Sequence, residues 1–203
     1  MSKELLIIFV KNPFLGRAKT RLAKTIGNNA ALEAYKRLLQ RTFVITHELK
    51  CDKVVYYDQF VDRNDLWPND IYDKDVQVEG HLGEKMDAAF GKVFDQGYER
   101  VCIIGSDCYE LSSEIIDEAF DALKDNQGVI GPSVDGGYYL LGLAQPCVEV
   151  FHNKAWSTDS VCADTEEDFR ALSYKLKKLV TLNDVDVEAD LGDWAYDLVK
   201  TKF

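Results

Sequence analysis

The feature that most constrains this chain's fold is a series of short runs that are apolar almost without interruption. They fall at residues 5–10 (LLIIFV), 53–57 (KVVYY), 101–105 (VCIIG) and 128–133 (GVIGPS). A strand with one wet face alternates apolar and polar residues, whereas a continuous apolar run needs cover on both faces. The stretches between the runs carry helical spacing. Leu32, Tyr35, Leu39 and Phe43 share one face of a helix that Asn29 is placed to cap. Further helices are predicted over about 83–94, after Ser112 or Ser113, over 157–171 and over 190–200, with residues 58–73 as loop. Shorter strands are predicted at 76–80 and 177–182, and a glycine turn at 135–137 feeds another ending at Leu143. Strands alternating with helices define an α/β class with a mostly parallel, Rossmann-like sheet flanked by helices. With 203 residues and no repeat, linker or low-complexity tract, one domain over 1–203 is expected.

The charge is unevenly placed. The chain has a formal net charge of -11, yet residues 5–32 hold Lys11, Arg17, Lys19, Arg21 and Lys24 and no acid. An acidic chain disfavours general nucleic-acid binding, so the local cations point to a small anion such as a nucleotide phosphate. The segment leaves an apolar run, is stiffened by Pro13 and loosened by Gly16, and brings Lys19, Thr20 and Arg21 to where a helix begins. It is neither a Walker A loop nor a G-x-G-x-x-G turn. The competing reading is a solvated basic helix face. As surface charges, these cations are expected to add little to stability. The first apolar run is too short to span a membrane, and no small-residue cleavage site follows it. The five cysteines form no C-x-x-C pair, so reduced thiols in a cytoplasm are expected, without zinc or disulfides.

Ligands of such sheets sit beyond the carboxyl ends of the strands. The unusual residues fall there. Gly105-Ser106-Asp107 closes one apolar run, and Asp107 suits either a divalent-metal ligand or a turn residue. Asp135-Gly136-Gly137-Tyr138-Tyr139 suits either a hairpin turn or a sugar-binding turn in which Asp135 orients a hydroxyl or acts as a base. In Asp184-Val185-Asp186, with Asp190 close behind, either one carboxylate holds a metal while another caps a helix, or they serve only as caps. His47, His81 and His152 have no ligand spacing, and Cys108 beside Asp107 has no histidine partner.

Taken together, Lys11-Asn12-Pro13 to Thr20-Arg21-Leu22, Leu82-Gly83-Glu84-Lys85-Met86, Gly105-Ser106-Asp107, Gly131-Pro132 to Asp135-Gly136-Gly137-Tyr138 and Asp184-Val185-Asp186 resemble a bacterial family of small glycosyltransferase-like proteins. That family, long labelled a domain of unknown function, has the nucleotide-diphospho-sugar transferase (GT-A) fold. More distantly the chain is similar to molybdenum-cofactor guanylyltransferase and phospholactate guanylyltransferase. The resemblance implies a transferase dependent on Mg²⁺ or Mn²⁺ that uses a nucleoside-diphosphate sugar and an acceptor of unknown identity. It implies a nucleotide site of Lys11, Gly16, Lys19, Thr20, Arg21, Gly83 and Glu84. Asp107 and Asp186 would bind the metal, and Asp135, Gly136, Gly137 and Tyr138 the sugar or acceptor, with Asp107 and Asp135 catalytic. Two alternatives remain open: a nucleotidyltransferase working from a nucleoside triphosphate, and a nucleotide-binding module without catalysis.

Overall fold

The computed structural model describes residues 3–200. Its centre is β1 (Glu4–Val10), paired in parallel with β2 (Asp52–Tyr57) on one side and β4 (Arg100–Ile104) on the other. Ile7 lies opposite Val54 in one neighbour and Ile103 in the other. Outward of β2 comes β3 (Asp73–Val76); beyond β4 come β6 (Tyr138–Leu143), β5 (Gly128–Pro132) and β7 (Leu176–Lys178). The order is therefore β3-β2-β1-β4-β6-β5-β7. Only β6 runs against its neighbours, because the 133–137 turn folds it back on β5 as a hairpin.

Helices cover both faces, which is why β1 is apolar throughout 5–10. Leu6, Ile8 and Val10 point into a core with Tyr35, Leu38 and Leu39 of α2 (Asn28–Thr46) and Ile116, Ala119 and Phe120 of α4 (Ser113–Ala122). Leu5 and Ile7 point the other way, onto Met86, Ala89, Phe90 and Val93 of α3 (Leu82–Asp95) and Phe169 of α5 (Val161–Ala171). A short α1 (Thr20–Ile26) rests on α2 through Leu22, Ala31 and Ala34, and α6 (Tyr196–Lys200) ends the described chain. No described helix is long and apolar enough to cross a membrane. The five cysteines are free and buried.

Several sequence boundaries move. The helix expected behind Asn29 begins after Gly27, which holds φ 84° between α1 and α2. The strand expected at 76–80 lies at Asp73–Val76, an edge position whose polar residues hid it. The late strand stops at Lys178, leaving a single further bridge from Ser133 to Leu182. Of the helix expected over 157–171, only Val161–Ala171 forms. The helix expected over 190–200 breaks into two 3₁₀ turns and α6. There the Asp190 carboxylate accepts the Asp186 and Val187 amides, closing a tight turn.

Candidate functional site

A cavity of about 780 Å³ opens at the carboxyl ends of the strands. Each sheet neighbour contributes a residue just past its end: Lys11 after β1, Asp58 after β2, Gln77 after β3, Asp107 after β4, and Asp135 in the turn between β5 and β6. This is the place that strand direction reserves for ligands in open α/β sheets.

The opening loop is held to the sheet from beneath. Asn12 is buried. Its amide donates to Asp58, its side-chain NH₂ donates to the Phe60 carbonyl, and its side-chain oxygen accepts the Gln59 and Phe60 amides. The Tyr35 hydroxyl meets the Lys11 amide at 2.7 Å and Ser106 Oγ at 3.2 Å, tying the ends of β1 and β4 together from α2. Burial, more than the nearby Asp107 charge, pushes the Tyr35 phenol above its ordinary range, so it stays a neutral strut. Gly16 takes φ 74° inside the loop but does not line the cavity.

Lys19 stands at the centre of the site. It is the residue before α1, its backbone is left-handed (φ 51°), and its side chain is 4% exposed. For a residue with a Cβ that conformation costs on the order of 1 kcal/mol, so something must hold it. The ammonium donates to the Val185 carbonyl at 2.5 Å, pairs with Asp107 at 2.8 Å and lies 4.0 Å from Asp186. Arg21, mostly exposed, reaches the second Asp186 oxygen at 2.9 Å. The backbone joins the same elements, since the Val185 amide donates to the Asp107 carbonyl at 2.9 Å. Lys19 and Arg21 of the opening segment and the Asp107 and Asp186 carboxylates therefore form one constellation, with Thr20 also lining the cavity. Lys19 is not the solvated cation that sequence alone suggests.

Four carboxylates converge here. Burial first, then the charges of Asp107, Asp135 and Asp186, push the Asp184 carboxyl up to about 7, with Lys19 pulling the other way. Asp135 uses one oxygen for its own turn, accepting the Gly137 amide at 3.0 Å and the Ser133 hydroxyl. Its hairpin role is thus real, and its carboxylate still faces the cavity, as do Gly137 and Tyr138. Among the described residues no three His, Cys, Asp or Glu side chains are arranged to hold a metal by themselves. Cys108 lines the cavity, but burial pushes its thiol up to about 12, so it is no nucleophile.

Besides Gly16, three expected contacts lie elsewhere. Glu84 is exposed and closes a capping box with His81 at the start of α3. Gly83 faces the indole of Trp156; a Cβ there would meet Nε1 at 2.4 Å and the Phe151 carbonyl at 2.7 Å. Gly136 sits at φ 89°, where a Cβ would meet the Asp159 carbonyl at 2.0 Å. Both glycines seat the loop 152–160, whose Trp156, Ser157, Thr158 and Asp159 form a cavity wall that no local motif announces. A lone tryptophan in an otherwise polar stretch was the one available signal for it.

A parallel sheet with one reversed strand, and nucleotide-sized space above it, defines the nucleotide-diphospho-sugar transferase fold. Over 98% of its length the chain aligns with a crystal structure from Desulfovibrio desulfuricans G20, provisionally described as a nucleotide-diphospho-sugar transferase. The TM-score is 0.88, the identity 30%, and 94% of that chain is covered. By its residues 41–158 the chain belongs to the family described as uncharacterized protein conserved in bacteria (DUF2064). More distant folds include the inositol-1-phosphate CTP transferase of T. maritima, with TM-score 0.58, identity 14%, and 98% and 95% of the two chains covered. Another is Rv0371C of Mycobacterium tuberculosis H37Rv in a complex with manganese, with TM-score 0.54, identity 11%, and 98% of each chain covered. At those identities the likeness is one of fold. A search of curated proteins finds no match.

Proposed function

We propose that the protein is a divalent-metal-dependent transferase that takes a nucleoside-diphosphate sugar as donor in the strand-end cavity. The observation that carries this reading is the convergence of Asp107 and Asp186 on the Lys19 ammonium, at 2.8 and 4.0 Å, with Arg21 behind them. A place for positive charge between two carboxylates is thus already built. Mg²⁺ and Mn²⁺ at nucleotides take one or two carboxylates and complete their shell with phosphate oxygens and water, so Asp107 and Asp186 are the residues that would hold such an ion, beside the Lys19 ammonium that they pair with here. When bound there, the ion would neutralise charge on a departing diphosphate. The chain's own part is to hold that diphosphate with Lys11, Lys19, Thr20 and Arg21 and to keep Asp107 and Asp186 in register through the Val185 amide. Asp135, with one oxygen outside its turn, is positioned to accept a proton from an acceptor hydroxyl. The D. desulfuricans description supports a nucleotide-sugar donor, the manganese complex a divalent ion, and the buried free thiols a cytoplasmic setting.

The test is calorimetry of nucleoside diphosphates with and without Mn²⁺. Wild type should bind more tightly with the ion, and Asp107→Ala should lose that difference while keeping its fold. A folded Asp107→Ala with unchanged metal dependence would reduce Asp107 to a turn residue. A second reading, nucleotidyl transfer, is favoured by the number of cations in the opening loop, because a leaving pyrophosphate carries more charge than a bound diphosphate. Release of pyrophosphate from a nucleoside triphosphate, with no nucleoside diphosphate released from any nucleotide sugar, would decide for it.

A further inference from the structure

We infer that the acceptor wall of the cavity carries a second anion subsite built on Lys85, so that the acceptor is a small molecule bearing a phosphate or carboxylate. This rests on the transferase reading above and names its acceptor class. The cavity lies between the two helical layers. Lys19 and Arg21 enter from the layer of α1 and α2, and their charges are already engaged by Asp107 and Asp186. Lys85 enters from the opposite layer, one turn into α3, beside Met86, which packs on the other face of the sheet. It is partly buried, lines the cavity, and has no ion pair or side-chain hydrogen bond among the described residues. An ammonium that lines the cavity with no protein anion against it is open to pair with an anionic group of a ligand.

The surroundings of Lys85 separate it from the diphosphate end. Its neighbours on that wall are Leu82, Met86, Tyr138 and Trp156. Trp156 lies against Gly83 two residues away, and its indole donates to the Phe151 carbonyl. The loop carrying it is pinned at its base by Lys154, whose buried ammonium pairs with Asp168 of α5 at 2.5 Å. On its far side the Cys162 amide donates to the Gly136 carbonyl. A wall with the Trp156 ring, apolar side chains, the Lys85 ammonium, the hydroxyls of Ser157 and Thr158 and the Asp159 carboxylate suits a small hydroxylated molecule whose one anionic group is held at Lys85. An ammonium on a flexible stem binds such a group as a point charge.

The experiment uses the full chain saturated with a nucleoside diphosphate and Mg²⁺. Inorganic phosphate and acetate are titrated separately, read by tryptophan fluorescence and calorimetry. At least one of the two should bind without displacing the nucleotide, phosphate marking a phosphorylated acceptor and acetate a carboxylated one. Lys85→Gln should weaken that probe by about tenfold, Lys85→Arg should retain it, and nucleoside-diphosphate affinity should stay within about twofold in both. Equal probe affinity in wild type and Lys85→Gln overturns the subsite. So does a matching fall in nucleotide affinity, which would give Lys85 to the nucleotide's own phosphates. If no nucleoside diphosphate binds wild type, the transferase reading fails and takes this one with it.

Discussion

Lys19 shows how one residue serves both fold and ligand. Its basic neighbourhood is readable in sequence, but its burial is not, because the groups that bury it are Asp107 and the Val185 carbonyl, far along the chain. The expectation that its charge adds little to stability therefore reverses. Lys19→Gln should cost about 1–2 kcal/mol by thermal unfolding and also weaken a nucleoside diphosphate at least about tenfold. Arg21→Gln, at an exposed position, should weaken the ligand alone. Equal stability losses in the two variants would contradict the burial argument. Asp184 gives a pH prediction. An unfolded aspartate ionises near pH 4, whereas the folded carboxyl is pushed up to about 7. Between those values the folded state keeps a proton that the unfolded state has released, so stability falls as pH rises, and the full penalty stands above pH 7. Asp184→Asn should flatten that slope and raise stability at pH 8 by about 1–2 kcal/mol. Unfolding midpoints from pH 4.5 to 8 check it; parallel curves for the two proteins would mean Asp184 is ionised throughout.

At the scale of elements, what was legible follows one rule: a signal carried by local neighbours can be read, and one supplied by a distant segment cannot. β1, β2, β4 and β5 announce themselves because covering both faces makes them apolar past their first one or two residues. β3 escapes because an edge strand can be polar, and its DKDV reads as loop. Gly83 and Gly136 stand in stretches that look like ligand turns, yet each makes room for a loop from further along the chain. The loop 152–160 therefore depends on two glycines outside it. Gly136→Ala should be the worse substitution, since it meets backbone at 2.0 Å and forces an alanine into φ 89°. Gly83→Ala meets a side chain that can swing away, although the Phe151 carbonyl stands 2.7 Å off. The expected costs are about 3 kcal/mol or more and about 1–2 kcal/mol. In Gly83→Ala the fluorescence of Trp156 should shift toward that of a wetter indole. An unshifted spectrum with wild-type stability would show that the loop does not rest on Gly83.

At the scale of the whole molecule, the site is closed by chain that belongs to no strand. The segment bearing Asp184 and Asp186 meets the sheet's end through the Val185 amide on Asp107 and, just before it, the Leu182 backbone on Pro132 and Val134. A further hold comes from later in the chain. Trp194 stacks on Tyr109 at 4.4 Å with an interplanar angle of 8°. Arg41 lies over the other part of that stack, 5.5 Å from the Tyr109 ring, and donates to the Tyr109 and Leu111 carbonyls. Arg37 of α2 donates to the Trp194 carbonyl and makes a two-pronged pair with Asp197. Tyr109 lies two residues past Asp107, so this clasp joins the two arms of the proposed metal site from behind. Aromatic pairs add about 0.5–1.5 kcal/mol beyond the area they bury, and segments held by few contacts open locally before the fold does. Trp194→Ala should therefore act unevenly. Amide exchange around Val185 and Asp186 should quicken by about tenfold or more, while the amides of β1 and β4 keep the protection that global stability gives them. Metal-dependent nucleotide affinity should fall with it, although Trp194 touches no part of the proposed ligand site. Excess Mn²⁺ should restore part of that affinity, because an ion bound between Asp107 and Asp186 favours the closed segment by mass action. Hydrogen exchange that quickens equally in β1, β4 and the segment would show instead that Trp194 is ordinary core, and that Asp186 is held by the fold as a whole.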